Sequence, residues 1–345
     1  MADRSTAKRP TIYDVAAEAG VAISTVSRVL NESAEVSDAT RERVLEAIQK
    51  LKYHPHRTAR NLAQQSTTSI AVALPSATSM FYVELLKGVK DRMREMDMDL
   101  LLCNLGSAQP YLTLQRFLSR GAVDGLLLVS LPVDDALAAQ LGGIQAPVVL
   151  LGSRYAGLDA FWWDDEAGAR LATEYLLDAG HQRIGLIAAH SWSTNSPPRL
   201  MGYRDSLDRA GIRFDPSLVV AGDTLKHAGF SEEAGAEAMA KLMALDHPPT
   251  AVFASSDVQA YGAWAYCRDN SIRVPRDVSI VGYDNLKLSR FLDLTTVDQG
   301  MQEAGLLATS RLLDRMDGRH EERVDVELPL ELLIRNSSGP AATDG

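Results

Sequence analysis

Cysteine is scarce in this 345-residue chain. Cys103 and Cys267 each sit in apolar surroundings, with no Cys or His at metal-ligand spacing, which points to buried thiols in a reducing compartment. No run approaches the ~18 uninterrupted apolar residues of a membrane helix. Residues 1–10 are polar and charged and contain no apolar core of a signal peptide. A cytoplasmic location with no membrane partner is therefore expected. No Gly-x-Gly-x-x-Gly or Gly-Lys-Ser/Thr loop follows any apolar run, which counts against a nucleotide-dependent enzyme. The seven histidines are scattered and form no metal or Ser/His/Asp cluster in the sequence. No metal, cofactor or catalytic residue is expected, and there is no internal repeat or low-complexity tract.

What the chain does have is an uneven charge. Its net charge is −10, but residues 1–66 carry ten Lys/Arg against eight Asp/Glu, and the remainder carries 25 against 37. A mildly basic head on an acidic body lets the head approach phosphate while the body stays off it. The head reads as three short helices. Thr11 can cap the first, with Asp14 three residues on, and Ile12, Val15, Ala16 and Ala19 form its stripe before Gly20 stops it. The second has Val26, Val29 and Leu30 on one face. Ser37 can cap the third, whose stripe is Val44, Ala47, Ile48 and Leu51.

Beyond Pro55 the composition shifts, and 64–69 is a polar linker. From Ile70, apolar runs at 70–74, 100–103, 126–129, 148–151, 184–188, 251–254 and 278–281 alternate with amphipathic stretches such as 84–96, 165–179 and 234–245. Strand–helix alternation implies parallel sheets covered by helices on both faces. The count of runs suits two doubly wound lobes, with ligand sites beyond the carboxyl ends of the strands.

The second helix leaves Ser24, Thr25, Ser27, Arg28 and Asn31 free for phosphate and base edges, and Arg matches guanine O6 and N7. One amphipathic helix alone would be an ordinary solvated face, but its context is specific. Thr-Ile-Tyr-Asp-Val-Ala stands at 11–16, Ala-Gly-Val at 19–21, Thr-Val-Ser-Arg-Val-Leu-Asn at 25–31, Val-Ser at 36–37 and Thr-Arg at 40–41, with Tyr53, Pro55 and Leu62. This pattern resembles the DNA-binding region of the LacI/GalR family of bacterial transcription regulators.

The resemblance implies an all-α helix-turn-helix head plus hinge helix, joined to a two-lobed α/β, periplasmic-binding-protein-like core. It implies a repressor, and no enzyme, that binds double-stranded operator DNA of pseudopalindromic sequence as a homodimer. Ile23 and Ser24 fall where the family reads variable bases, and Arg28 on a base-reading position. Thr11, Thr25, Ser27 and Asn31 fall on largely phosphate-contacting positions. Ala22 departs from the Ser of many relatives and cannot cap the recognition helix. Residues 57–63 resemble the hinge helix, with Leu62 as its minor-groove wedge. The expected boundaries are a head at 1–56, a hinge and linker at 57–69, a first lobe at 70–163 and 297–322, a second at 164–296 and 323–338, and a disordered tail at 339–345.

In the core the resemblance is looser. Arg199 and Asp284 match effector-binding positions, and an Arg with a carboxylate can hold sugar hydroxyls or the polar edge of a base. Phe81 and Tyr82 match a ligand-facing aromatic pair, Trp163 a pocket aromatic and Asp164 a crossover residue. Asp257 and Gln299 complete the expected belt of hydrogen-bonding groups. Of the adjacent indoles Trp162 and Trp163, alternation along a strand sends one into the core. Ser256 stands where relatives often have Asn. The expected effector is a neutral sugar, with a nucleobase as the alternative. A sugar-transport binding protein, the competing reading on the same fold, would need a signal peptide.

Overall fold

Apolar residues at helical spacing build the head as three helices: α1 (Ile12–Ala19), α2 (Ile23–Leu30) and α3 (Asp38–Leu51). They close on a core of Val15, Ala16, Ala19, Val26, Val29, Val44, Ala47 and Tyr53. Gly20 ends α1 in the left-handed region (φ 63°), which needs no Cβ and lets the chain turn at once into α2. The Asp14 carboxylate accepts from both the Thr11 N–H and the Thr11 hydroxyl, each at 2.7 Å. Ser37 differs from expectation: its hydroxyl donates to Thr40 Oγ1 at 3.0 Å and makes no bond to the backbone of α3.

In this computed structural model the described residues are 10–30, 33, 35–53, 69–106, 109–119, 123–191, 193–319 and 322–342. The chain divides into two units, Met1–Thr67 and Thr68–Gly345. Asn31, Leu62 and the expected hinge at 57–63 lie outside the described residues.

The second unit holds two six-stranded sheets. The first comprises β1 (Ser69–Leu74), β2 (Asp99–Asn104), β3 (Gly125–Val129), β4 (Val148–Leu151), β5 (Asp159–Trp162) and β11 (Asp325–Glu327), in the order β11-β5-β4-β3-β1-β2. The second comprises β6 (Ile184–Ala188), β7 (Val219–Ala221), β8 (Ala251–Ala254), β9 (Ser279–Asp284), β10 (Thr295–Asp298) and β12 (Glu331–Leu333), in the order β12-β10-β9-β8-β6-β7. Every pairing is parallel except β10 with β12. The central strands β1, β3, β4, β6 and β8 are buried almost throughout, so their sequences are near-continuous apolar runs.

Helices α4 (Met80–Met93), α5 (Pro110–Leu118), α6 (Asp135–Gly142) and α12 (Met301–Met316) belong to the first lobe, and α7 (Asp165–Asp178), α8 (Ser196–Arg209), α9 (Glu232–Met243), α10 (Asp257–Asp269) and the short α11 (Lys287–Phe291) to the second. The chain changes lobe between β5 and α7, between β10 and α12, and between β11 and β12. Two expected boundaries therefore move. A cut at 296/297 would divide β10, which lies wholly in the second sheet. Residues 325–327, expected in the second lobe, pair with β5 in the first. The tail also differs over residues 339–342. Gly339 accepts from His181 Nε2 at 3.0 Å, and the Ala341 N–H donates to Ala179 at 2.8 Å, so this segment is stitched onto the second lobe.

Helices α4 and α12 touch backbone to backbone. A Cβ at Gly88 would lie 1.8 Å from the Gln302 carbonyl oxygen, and one at Gly305 would lie 2.2 Å from that of Leu85. Gly88→Ala must push the helices apart, and we expect it to cost about 1–3 kcal/mol, the usual scale of overpacking. Thermal unfolding of the full chain followed by circular dichroism checks this. A melting temperature equal to wild type would show that the two helices separate freely.

Candidate nucleic-acid interface and effector cavity

Burial of Val26 and Val29 fixes which face of α2 is left outside: Ile23, Ser24 and Arg28 are exposed, and Thr25 and Ser27 half-buried. Ile23 is a large apolar side chain held in water, of the kind that meets a thymine methyl. Arg28 reaches Glu35 at 3.6 Å, and both side chains are exposed, so the pair is weak. Tyr13 on α1 is 68% exposed, which the sequence reading missed. An aromatic residue on the polar face of an eight-residue helix was the available signal.

In the core, one cavity of about 440 Å³ joins the carboxyl ends of the strands of both sheets. The first lobe contributes the segments after β1, β2 and β3, including Phe81, Tyr82, Tyr111 and Ser130. The second contributes those after β6, β7, β8 and β9, including Asn195, Arg199, Phe230, Ser256 and Asp284. Strand ends place these groups because parallel strands all deliver their following loops to one edge of the sheet.

Four of the eight expected effector residues meet here: Phe81, Tyr82, Arg199 and Asp284. Arg199 is buried on α8. It donates to Asp165 through Nε at 2.8 Å, approaches the same carboxylate through Nη2 at 2.7 Å, and donates to the Ser255 carbonyl through Nη1. Its guanidinium lies 3.7 Å from the Tyr283 ring centre. Burial opposes its charge, but Asp165, Tyr283 and Asp284 together outweigh it and hold its pKa above the ordinary arginine value. Asp284 ends β9 with φ 122°, followed by Asn285 at φ 53°, a strained pair for residues with side chains. Burial pushes the Asp284 carboxyl well above the usual carboxylate range, against the pull of Arg199.

The other four stand apart from the cavity wall. Trp163 is buried one layer behind it, with its indole N–H donating to the Gln299 carbonyl at 2.7 Å and its ring edge-on to Phe81 at 6.0 Å. Trp162 points to the opposite face of the sheet, where it donates to Asp325 and lies under Arg154. The Gln299 side chain is buried at the lobe crossover. Asp164 caps α7, accepting from the Ala167 N–H at 2.9 Å. Asp257 is fully buried behind Ser256. It accepts from the Leu286 N–H at 2.8 Å, from Thr296 Oγ1 at 2.6 Å and from the Ser289 hydroxyl. Burial holds its carboxyl up at about 6 despite these donors. Ser256 itself lines the cavity and caps α10 through the Gln259 N–H at 3.3 Å. Among the cavity residues missed in the sequence, Asn195 and Tyr111 lie in segments that follow the apolar runs of β6 and β2, whereas Phe230 follows the short β7, which no run announced.

Asp257→Ala would leave three buried donors unsatisfied, and we expect roughly 3 kcal/mol of lost stability. Chemical unfolding of the full chain measures it. Unchanged stability would remove Asp257 from this structural role.

Comparison with known proteins accords with both parts. Residues 11–56 match the family model described as bacterial regulatory proteins, lacI family, and residues 173–338 the periplasmic binding protein-like domain. The HTH-type transcriptional repressor PurR of Pasteurella multocida (strain Pm70) is 35% identical over 333 residues, covering 95% of this chain and 98% of that protein. A transcriptional regulator CelR–cellobiose complex aligns with TM-score 0.68 and 34% identity, covering 95% of this chain and all of the other. The lac repressor dimer bound to operator and the anti-inducer ONPF aligns with TM-score 0.76 and 29% identity, covering 96% of this chain and all of the other. The chain belongs to the lacI family of bacterial regulatory proteins: it is a DNA-binding transcription repressor with a ligand-binding core, and not an enzyme.

Proposed function

We propose that this repressor binds a pseudopalindromic operator as a homodimer in the cytoplasm, at the nucleoid, and that a neutral sugar in the core cavity switches its grip. The observation that carries this reading is the cavity itself: it unites strand ends of two lobes, with Arg199 and Asp284 on its floor and Phe81, Tyr82 and Phe230 on its walls. A ligand there touches both lobes and so biases their relative position. Apolar ring faces suit the aromatic walls, and hydroxyls suit the floor. The Arg199 charge is already matched by Asp165, and Asp284 adds a further carboxyl, so among the described residues of this floor an anionic ligand meets no unmatched cation. The cellobiose complex among the solved relatives supports the sugar class over a nucleobase.

Dimerisation is supported by apolar side chains left in water on each lobe: Met80, Val83, Leu101 and Leu102 on the first, Leu288 and Phe291 on the second. Such surface belongs in an interface between copies. In the head, Ile23, Ser24 and Arg28 read bases, with Thr11, Thr25, Ser27 and Asn31 on phosphates. Leu62 acts as the wedge of the hinge.

Arg28→Ala should cost roughly 1–3 kcal/mol of operator affinity at fixed salt, the scale of one bidentate base contact. Fluorescence anisotropy on the upstream region of the neighbouring operon measures it, and unchanged affinity would take Arg28 out of base reading. Asp284→Asn, which keeps the side-chain volume, should retain operator binding in the absence of ligand but lose most of the response to effector. Titration with a sugar panel, and with hypoxanthine and guanine, identifies the class. Saturable binding of a nucleobase and of no sugar would overturn the sugar reading, and a variant that responds like wild type would remove Asp284 from the site.

A further inference from the structure

The three-helix part of the head brings little favourable charge of its own to DNA. Residues 10–53 carry five Lys/Arg against seven Asp/Glu, and Arg28 is the one Lys/Arg between residues 10 and 40. The positive balance of residues 1–66 therefore comes from the segments on either side. Long-range attraction of this part to phosphate is small. The one cation on the reading helix also has a carboxylate beside it: Glu35 lies 3.6 Å from Arg28 Nε.

The turn that carries Glu35 is pinned. The Ser33 N–H donates to the Arg28 carbonyl at 3.0 Å, and the Ser33 hydroxyl accepts from the Glu35 N–H at 3.3 Å. The Ser33 carbonyl accepts from Arg41 Nη2 on α3 at 2.7 Å. One serine ties α2, the turn after it and α3 together, and the turn returns the Glu35 carboxylate to Arg28. The two side chains are 58% and 72% exposed, so water screens the pair in the free protein. DNA removes that water, and a carboxylate held against a polyanion is then repelled unless it keeps its cation or finds a donor. The two kinds of DNA contact differ in what they offer it. A guanine edge is uncharged, and its cytosine partner presents an N4 donor that a carboxylate can accept from. A phosphate is anionic and presents no donor.

We propose that Glu35 is a specificity-determining residue of the reading head: its carboxylate opposes contact of Arg28 with phosphate more than contact with a G·C edge, and so lowers binding to non-operator DNA more than binding to the operator. This rests on Arg28 reading bases, and extends that reading to a residue that the sequence pattern did not single out. The carboxylate gives up some affinity for DNA in general and gains discrimination between sites.

The test is fluorescence anisotropy with the full chain on two duplexes of equal length, an operator obtained by in vitro selection with the wild-type protein and a shuffled version of it, each over a range of KCl concentrations. Glu35→Gln, which keeps the side-chain volume, should bind the shuffled duplex about fivefold tighter, the upper end for an exposed ion pair, and change operator affinity by about twofold or less. On the shuffled duplex the slope of log K against log salt should steepen by about 0.9, one further phosphate contact. Retained operator binding shows that the variant head is folded. Glu46→Gln, which removes an exposed carboxylate from α3, should shift both duplexes equally. In an Arg28→Ala background Glu35→Gln should lose its preference for the shuffled duplex. Equal effects of Glu35→Gln on the two duplexes, no effect on either, a loss of operator affinity with no gain on the shuffled duplex, or the same selective gain from Glu46→Gln overturns the role of Glu35 while base reading by Arg28 stands. An Arg28→Ala protein with wild-type operator affinity overturns both.

Discussion

A guanidinium taken out of water must be met by a carboxylate and by hydrogen-bond acceptors, and the second lobe is arranged around that requirement at Arg199. Asp165 at the start of α7, the Ser255 carbonyl after β8 and the Tyr283 ring on β9 converge on this one side chain of α8. Asn195 donates to the other oxygen of Asp165 at 3.0 Å and completes the group. Removing one partner of a buried pair is far more costly than never having buried it, on the order of 3–5 kcal/mol. The helices and strands that supply these groups are therefore held in one arrangement before any ligand arrives, and the cavity floor is largely pre-formed. The same pairing sets its chemistry: polar, rich in acceptors, with its positive charge already matched.

Asp284 adds strain to that floor. Its backbone and that of Asn285 lie in regions that cost about 1–3 kcal/mol for residues with a Cβ. The surrounding bonds hold the turn in place. Asp257 grips the Leu286 N–H and Ser289, and the Asn285 side chain is held between Asp298 at 3.1 Å and Arg335 at 2.8 Å. Asp257 thus acts one layer behind the cavity, as a support for the turn that presents Asp284. Trp163 does the same for Phe81 across the lobe crossover.

Strands buried on both faces announce themselves as unbroken apolar runs, and so the runs at 70–74, 126–129, 184–188 and 251–254 were legible without coordinates. Short edge strands were not. β7, β11 and β12 are three residues each and only partly buried, so neither period nor composition marks them. Their omission also misplaced a lobe boundary, because the pairing of β11 with β5 is a long-range contact with no local signature. In the head, the alternation of Val26 and Val29 with polar residues was enough to say which face of α2 is outside.

The amino-acid sequence by itself determined the local elements, the split between a helical head and an α/β core, and the family, since each depends on short-range pattern. Resemblance to the family, itself carried by sequence motifs, also named Arg199, Asp284, Phe81 and Tyr82. Only the tertiary structure decided which polar and aromatic groups face the cavity. Asp257 and Ser256 are adjacent in the chain, yet one supports the turn from behind and the other lines the wall. Trp163, expected in the pocket, is buried behind its wall, and Tyr111, which no local pattern singled out, lines it. A side chain's role in a cleft is set by the rotation of its element against neighbours hundreds of residues away, and no local pattern encodes that rotation.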